Sequence, residues 1–326
     1  MQKWFGAAQK ADFDSWSKEF HISTVLARIL RNRDLTESAE IEKFLHGSLK
    51  DCYSPWLLKD MDKAVGQILC AIEKEITIRV IGDYDVDGIC ASYILTKGLQ
   101  LLGARADTAI PHRIHDGYGL NDALIEEAHR DGVGLIVTCD NGIAAAPQIA
   151  LANSLGMKVI VTDHHEVPFV LEDGVRREIL PEALAVVNPK QEQCKYPFSG
   201  ICGGVVAYKL MVALAEKTGN PALQEGLEEF LEFAAFATVC DVMELKDENR
   251  ILVKEGLKRL KKTRNQGLRA LMEVNALEPQ KLSGYHLGFV LGPCINATGR
   301  LDTAKRALEL LQSRTKVEAY EAAKEL

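Results

Sequence analysis

Three aspartates occupy every second position of the segment VIGDYDVDGICAS, residues 80–92, directly after a short apolar run. Side chains at alternate positions of an extended chain point the same way, so Asp83, Asp85 and Asp87 can face one point. Like charges this close destabilise a fold unless a cation or strong hydrogen-bond donors neutralise them. The spacing therefore favours a cation site at this segment.

Two further polar clusters follow apolar runs later in the chain. Asp140 comes directly after GLIVTC, and Asp163, His164 and His165 come directly after KVIVT. Ligands of open α/β sheets bind beyond the carboxyl ends of the strands, and these clusters would share that edge. Carboxylate oxygens with imidazole suit Mg²⁺ or Mn²⁺, whereas thiolates would suit zinc better. We therefore expect a metal site at the sheet edge.

Short β-branched runs alternate with helical patterns between residues 76 and 188. The runs expected to form strands are ITIRVIG (76–82), RADTAIP (105–111), GLIVTC (134–139), KVIVT (158–162) and ALAVVN (183–188). Helices are expected between them, over about residues 88–103, about 121–131 and up to about 155. Nearly continuous apolar strands alternating with helices predict an α/β fold with a parallel sheet and helices on both faces.

The flanking regions have helical patterns. Residues 1–72 predict an N-terminal helical segment packed on the core, residues 73–245 the α/β domain, and residues 246–326 a mainly helical continuation. Within that last region, GYHLGFVLGP (284–293) is expected to form a strand or an extended segment. The closing pattern TKVEAYEAAKEL lacks a glycine or proline that would end a helix, which favours a piece of a longer protein.

The composition is that of an ordinary globular protein. Of 326 residues, 47% are hydrophobic and 26% are charged. A formal net charge of -7 argues against a general polyanion binder, although a carboxylate metal site adds negative charge that its ions offset. Eight scattered cysteines without a CxxC pair predict reduced thiols in the cytoplasm. Neither a signal peptide nor an apolar run long enough for a membrane span is found in the sequence.

Seven motifs carry a resemblance to one known family. They are GDYDVDG (82–88), PHRIHDGYGLN (111–121), TCDNG (138–142), TDHHE (162–166), VVNPK (186–190), TVCDVMELKDENR (238–250) and GPCINATGR (292–300). The chain resembles the RecJ family of single-strand-specific exonucleases, within the DHH phosphoesterase superfamily that is named after Asp163-His164-His165. The resemblance implies the DHH phosphoesterase fold and a metal-dependent 5′-to-3′ exonuclease. Such an enzyme releases 5′-mononucleotides from single-stranded DNA in DNA repair and recombination.

The resemblance also implies two Mn²⁺ or Mg²⁺ ions that lie close together. It assigns Asp85, with Asp83, to one ion and makes Asp140 a bridge between the two ions. The residues it assigns to the other ion are Asp87, His164 and Asp241. The catalytic residues it implies are Asp140, His164, His165 and Asp241. His165 would orient the ligands or contact the scissile phosphate.

Four residues are candidates for binding the substrate. Arg113 and Arg300 match the motif positions where guanidinium groups would grip phosphate oxygens. Tyr118 would stack on a base or pack its own loop. Asn296 would support the phosphate site or cap a turn. The most basic run, residues 254–269, is expected to be a solvated helix face more than a DNA contact.

The family also implies partners and further domains. Single-stranded DNA is the expected substrate, with a single-stranded-DNA-binding protein and a helicase as candidate partners, and we expect a monomer away from membranes. Members of the family continue into a DHH-associated domain, whose glycine-rich segment is not found in this sequence. We therefore expect an N-terminal catalytic core.

Three other functions stay open. A DHH phosphodiesterase for short oligonucleotides or cyclic dinucleotides would use the same chemistry, and so would a manganese pyrophosphatase, but the motifs outside the metal cluster disfavour both. A non-catalytic scaffold with a degenerate DHH fold is the alternative of another class. Such scaffolds typically lose metal ligands, whereas every ligand type is present in this chain.

Overall fold

The computed structural model describes residues 9–111, 119–301 and 304–326, with the backbone alone for residues 298–301. Its central feature is a five-stranded sheet in the order β2-β1-β3-β4-β7, in which every neighbouring pair is parallel. Strands β5 and β6 form a separate antiparallel hairpin. The strands are β1 Ile78–Ile81, β2 Ala106–Ala109, β3 Leu135–Cys139, β4 Lys158–Thr162, β5 Phe169–Glu172, β6 Val175–Glu178 and β7 Ala185–Val187.

Helices precede, connect and follow these strands. Those up to the end of the sheet are α1 Phe13–Glu19, α2 Thr24–Arg31, α3 Ser38–His46, α4 Met61–Glu73, α5 Val86–Leu101, α6 Asp122–Arg130 and α7 Ala146–Ser154. Those after it are α8 Gly203–Thr218, α9 Pro221–Cys240, α10 Asp247–Leu260, α11 Gln266–Val274, α12 Gly284–His286, α13 Gly292–Leu301, α14 Lys305–Gln312 and α15 Lys316–Lys324. Short 3₁₀ turns cover Leu49–Asp51, Pro55–Leu57 and Pro279–Lys281, and a π-helical turn covers Leu287–Leu291.

The sheet is buried on both faces, as the continuous apolar strands predict. Alternation sends Val80 and Val137 to one face, where they pack with α4, α5, α8 and α9. Ile81 and Ile136 point to the other face, where they pack with α6 and α7. The prediction of a parallel sheet with helices on both faces, followed by a helical region, is confirmed.

Arg79 is a charged exception within a buried strand. Its guanidinium group forms two hydrogen bonds with Asp107 on the edge strand β2, at 2.8 and 2.7 Å, and an ion pair with Asp131 at 2.9 Å. These contacts compensate the burial of the charge. They also hold the edge strand against β1 in the register that places the carboxyl ends together.

The segment 284–293 is helical, so the prediction of a strand or extended segment was wrong. Leu287 and Leu291 lie four residues apart on the buried face of the helical segment. A Cβ at Gly292 would come within 2.6 Å of Cys240 Sγ, so glycine allows this segment to pack closely against the end of α9. The spacing of Leu287 and Leu291 is that of a helix. The glycines of this segment have low helix propensity, which made a strand look more favourable in the sequence.

Within the described ranges, none of the helices combines the length and apolarity that crossing a bilayer requires.

Candidate metal centre

Seven side chains from four elements converge at the carboxyl edge of the sheet. The loop from β1 into α5 supplies three acids, the ends of β3 and β4 supply one acid and two imidazoles, and the end of α9 supplies one more acid. In that order they are Asp83, Asp85, Asp87, Asp140, His164, His165 and Asp241. The clusters predicted from the strand ends therefore lie together in space.

The β1–α5 loop is shaped by the start of α5. Asp85 caps the helix, and its Oδ1 accepts a hydrogen bond from the backbone N–H of Gly88 at 3.0 Å. Asp87 lies in the first turn, where the helix dipole favours a carboxylate. A Cβ at Gly88 would lie within 2.6 Å of the Asp83 backbone nitrogen. Glycine at position 88 therefore lets the backbone of Asp83 pack against the first turn of α5. This geometry presents the three acids together.

Asp140 has a left-handed backbone conformation, with φ at +59°. Its neighbour Asn141 holds the turn, because its side-chain Nδ2 donates to Ile81 O at 3.1 Å and to Cys139 O at 2.9 Å. Those two carbonyls end β1 and β3. Asn141 therefore ties together the two strands whose ends carry acids, and it sets the direction in which the buried Asp140 points.

Asp163 is the buried anchor of the two imidazoles. Its carboxylate accepts hydrogen bonds from the backbone N–H groups of Ile143, His164 and His165 at 2.9, 2.7 and 3.1 Å. It also pairs with His165 Nδ1 at 2.8 Å. Burial opposes the charge on Asp163, but the hydrogen bonds from His165 lower the pKa of this carboxyl, and the same pair raises the pKa of His165.

Asp87 is held by the first turn of α8. The backbone N–H of Gly203 donates to its Oδ2 and that of Gly204 to its Oδ1, each at 2.7 Å. The sequence indicates no more here than a glycine turn before a helix. The paired glycines in GICGGVV are the local signal for close backbone approach, but nothing near them in sequence indicates Asp87 as the partner.

His164 faces three carboxylates that come from three different elements. Its Nε2 atom lies 2.9 Å from Asp140 Oδ1, 3.4 Å from Asp87 Oδ2 and 3.8 Å from Asp241 Oδ2. Burial lowers the pKa of His164. A neutral imidazole has a lone pair for a cation, so this position suits a metal ligand.

Three groups of side chains could each hold an ion. Within each group, the donor atoms all lie within 4.8 Å of one another. The groups are Asp83, Asp85 and Asp140; Asp87, His164 and Asp241; and Asp140, His164 and His165. Asp140 belongs to two of them. The arrangement therefore offers neighbouring cation positions that share a carboxylate, and the assignment of each residue to one ion stays a prediction.

The electrostatics of the cluster favour a cation. Burial, and then Asp85, raises the pKa of Asp83 to about 7, while burial, and then Asp87, raises that of Asp241 to about 7. Burial and the neighbouring aspartates raise the pKa of Asp140 well above its usual range. Within the described residues, the buried Asp83 Oδ1 accepts no hydrogen bond. A donor set of oxygens and one imidazole fits Mn²⁺ or Mg²⁺ and would relieve this crowding.

Of the four predicted substrate-binding residues, the structure places the side chain of Asn296 beside this cluster. Asn296 Oδ1 accepts a hydrogen bond from Val86 N at 3.1 Å, so it contacts the first turn of α5 beside the acids. Arg113 and Tyr118 lie outside the described residues, and Arg300 lies in α13 with its side chain outside them. Binding roles for these four residues stay predictions.

In the basic run 254–269, the side chains of Lys254, Lys258 and Arg259 contact other groups of the chain. Lys254 Nζ donates to Gly47 O at 2.9 Å, Lys258 pairs with Glu255 at 2.7 Å, and Arg259 lies 3.7 Å from Glu255. The run covers the end of α10, a turn and the start of α11, so it does not form the single helix face that was expected.

Comparison with known proteins agrees with the geometry. The model of the DHH family, N-terminal domain, matches residues 77–238. The chain belongs to the DHH family. Among curated relatives, it is 38% identical over 323 residues to the single-stranded-DNA-specific exonuclease RecJ of Bacillus subtilis, covering 98% of this chain and 39% of the relative. It is 36% identical over 298 residues to RecJ of Escherichia coli, covering 88% of this chain and 49% of the relative.

Solved structures of relatives share the DHH fold of this chain. The crystal structure of exonuclease RecJ bound to manganese matches with a TM-score of 0.71 and 34% identity, covering 82% of this chain and 64% of that one. RecJ from Thermus thermophilus in complex with Mg²⁺ matches with a TM-score of 0.67 and 28% identity, covering 96% of this chain and 39% of that one. The DHH-family chain spans about half the length, or less, of its curated RecJ relatives.

Proposed function

We propose that this DHH-family chain is a metal-dependent exonuclease that acts on single-stranded DNA in the 5′-to-3′ direction and releases 5′-mononucleotides. The observation that carries the proposal is the set of three donor groups at the carboxyl edge of the sheet, which are linked through Asp140 and His164. Relatives named as RecJ exonucleases, two of them solved with Mn²⁺ or Mg²⁺, support the substrate and the cofactor.

Two ions would be held by two groups of side chains that lie next to Asp140 in space. Asp83 and Asp85 would hold one ion, and Asp140, whose Oδ1 lies 2.9 Å from His164 Nε2, would be shared with the second. The remaining ligands of the second ion would be Asp87, His164 and Asp241. Bound Mn²⁺ or Mg²⁺ would supply a nucleophilic hydroxide from water at neutral pH and would offset the charge on the phosphate oxygens.

The chain's own residues fix the geometry for this chemistry. The N–H groups of Gly203 and Gly204 hold both oxygens of Asp87, and Asn141 sets the direction of Asp140. Preorganised ligands of this kind cost no rearrangement at the moment of reaction. A reactive phosphate would therefore meet a site whose carboxylates are already in place.

His165 would present a protonated imidazole at the edge of the site. Asp163 holds its Nδ1 and raises its pKa, and the side chain keeps 44% of its surface exposed. A cationic imidazole in this position would donate a hydrogen bond to a phosphate oxygen. Asp163 is thus a positioning residue in this proposal, and His165 is the group that touches substrate.

The test is a nuclease assay on single-stranded DNA labelled at the 5′ or the 3′ end, with Mn²⁺, Mg²⁺ or EDTA. We expect metal-dependent release of mononucleotides from the 5′ end, abolished in Asp140→Ala, while circular dichroism confirms that the variant folds. Cyclic dinucleotides and short oligonucleotides form a second arm. Cleavage confined to that arm would replace the exonuclease by a small-nucleotide phosphodiesterase, and no cleavage of either substrate would contradict both.

The broader biological setting is also proposed. Action in DNA repair and recombination, together with a single-stranded-DNA-binding protein and a helicase, follows from the similarity to RecJ. Eight free cysteines support a reducing compartment such as the cytoplasm. The monomeric state stays a prediction, and so does the division into residues 1–72, 73–245 and 246–326.

A further inference from the structure

Two aromatic side chains stack on each other at the protein surface. Tyr285 and Phe289 lie one helical turn apart, with ring centroids 5.2 Å apart and ring planes at 27°. They keep 65% and 73% of their surfaces exposed. Large aromatic side chains are normally buried for their hydrophobic contribution, so an exposed stacked pair calls for a ligand. We name Tyr285 and Phe289 the aromatic ledge.

The ledge is fixed to the two helices that carry acids of the metal centre. On one side, Cys240, the last residue of α9 and the neighbour of Asp241, donates a hydrogen bond from its Sγ to Leu287 O at 3.5 Å. On the other side, Asn296 contacts Val86 N at the start of α5, between Asp85 and Asp87. The segment that bears the rings therefore bridges α5 and α9 beside the metal centre.

Val242 adds an exposed apolar side chain at the same end of α9. It follows Asp241 directly, keeps 87% of its surface exposed and has φ at +56°. Val242 N donates to Val239 O and Met243 N donates to Thr238 O, the pattern of a helix end that normally takes glycine. A β-branched residue is strained in this conformation. Contacts among the described residues explain neither the strain nor the choice of valine.

We propose that the aromatic ledge and Val242 form a base-stacking surface that guides a single strand of nucleic acid past the metal centre. The inference rests on the proposed function, and it adds a binding site to it. Unstacked bases present flat apolar faces, and aromatic rings bind them without regard to sequence. Two rings and one valine are small for a docked protein, which covers about 800 Å² per partner, but they match one or two bases.

The test measures affinity and chemistry separately. Affinity is the binding of a fluorescent oligothymidine in Ca²⁺, and chemistry is Mn²⁺-dependent cleavage of an end-labelled abasic deoxyribose-phosphate oligomer, which has no aromatic ring to stack. The variants are Tyr285→Ala/Phe289→Ala, the single change Phe289→Leu, and Val242→Gly. The control is Val317→Ala, which truncates a valine of similar exposure, 74%, on α15.

The double variant should bind oligothymidine at least about fivefold more weakly, which is the loss of one base stack, and should keep its rate on the abasic oligomer. Phe289→Leu should lose affinity too, since leucine keeps the apolar area and removes the flat ring. Val242→Gly should weaken DNA binding while its melting temperature stays equal or rises. Val317→Ala should change neither readout.

Unchanged oligothymidine affinity in the double variant would overturn the inference. If that variant instead lost self-association, the ledge would be a protein-docking surface, which also overturns it. Failure of the proposed function looks different, because the wild-type chain would then release no mononucleotides from single-stranded DNA. If the wild-type chain cleaves DNA and the double variant keeps its affinity for oligothymidine, the base-stacking surface alone is refuted.

Discussion

Gly203 lies so close to Asp140 that a methyl group on it would come within 2.7 Å of Asp140 Cβ and 3.0 Å of its Cα. The same backbone donates to Asp87, so the first turn of α8 contacts two acids of the metal centre at once. The helix can approach this closely only because position 203 has no side chain. We therefore expect metal binding at Asp87 and Asp140 to depend on a glycine that has no ligand atom.

Gly203→Ala should lower Mn²⁺ affinity by about 10- to 100-fold, the usual effect of disturbing the partners of a metal ligand. The added methyl group pushes α8 away from Asp140 and breaks the hydrogen bond to Asp87. Isothermal titration with Mn²⁺ measures the change. Gly66→Ala is the matched control, because a Cβ at this exposed position of α4 would meet no atom within 4 Å. It should leave Mn²⁺ affinity unchanged and stabilise the fold by about 0.5–1 kcal/mol. Equal affinities in both variants would contradict the coupling.

Asp163→Asn should lower the pKa of His165 and reduce activity by about 10- to 100-fold. The pair with Asp163 raises that pKa, so a neutral amide in its place returns the imidazole toward its ordinary range. If the protonated imidazole is required, activity on the alkaline side should begin to fall at a lower pH than in the wild type. NMR titration of His165 in the metal-free protein gives the pKa directly. A titration identical to the wild type would show that Asp163 has no such role.

The stability of the metal-free protein should depend on pH in a direction that the cluster dictates. Asp83 and Asp241 have pKa values raised to about 7, whereas unfolded aspartates titrate near pH 4. The folded chain therefore binds more protons than the unfolded chain between about pH 4 and 7. The contribution of these two carboxyl groups to the free energy of unfolding is therefore most favourable below about pH 4. It is lost as the pH rises through about 7.

In EDTA, the melting temperature should therefore fall as the pH rises from 5 to 8, and saturating Mn²⁺ should flatten this dependence by replacing the protons. Differential scanning fluorimetry in matched buffers measures both curves. Asp241→Asn removes one of the titrating groups and should reduce the slope in EDTA. A metal-free protein that melts at the same or a higher temperature at pH 8 would mean that the acids are not crowded as described.

The sheet and most of the metal centre could be predicted from the sequence, because their signals are local. Strand residues such as Val80 and Val137 stand in short apolar runs, and Asp83, Asp140 and His164 follow the ends of those runs. Parallel strands bring their carboxyl ends together. Local pattern and topology together were therefore sufficient to place these side chains at one edge.

What the sequence did not reveal depends on contacts between distant segments. The bond from Gly203 to Asp87 joins residues 116 positions apart. Asp241 was identified only through the resemblance, because it ends a helix and not a strand. The helical form of 284–293 depends on close packing at Gly292 against Cys240. In each case the decisive partner lies on another element, where no periodic pattern records it.

The most direct test of the central claim is the number and coupling of Mn²⁺ ions bound per chain, measured by titration with electron paramagnetic resonance. A carboxylate shared through Asp140 predicts two ions per wild-type chain with an exchange-coupled spectrum, and Asp140→Asn should lose the coupling. The control Gly66→Ala should retain it. One ion per chain, or two ions without coupling in the wild type, would contradict a two-metal centre built around Asp140.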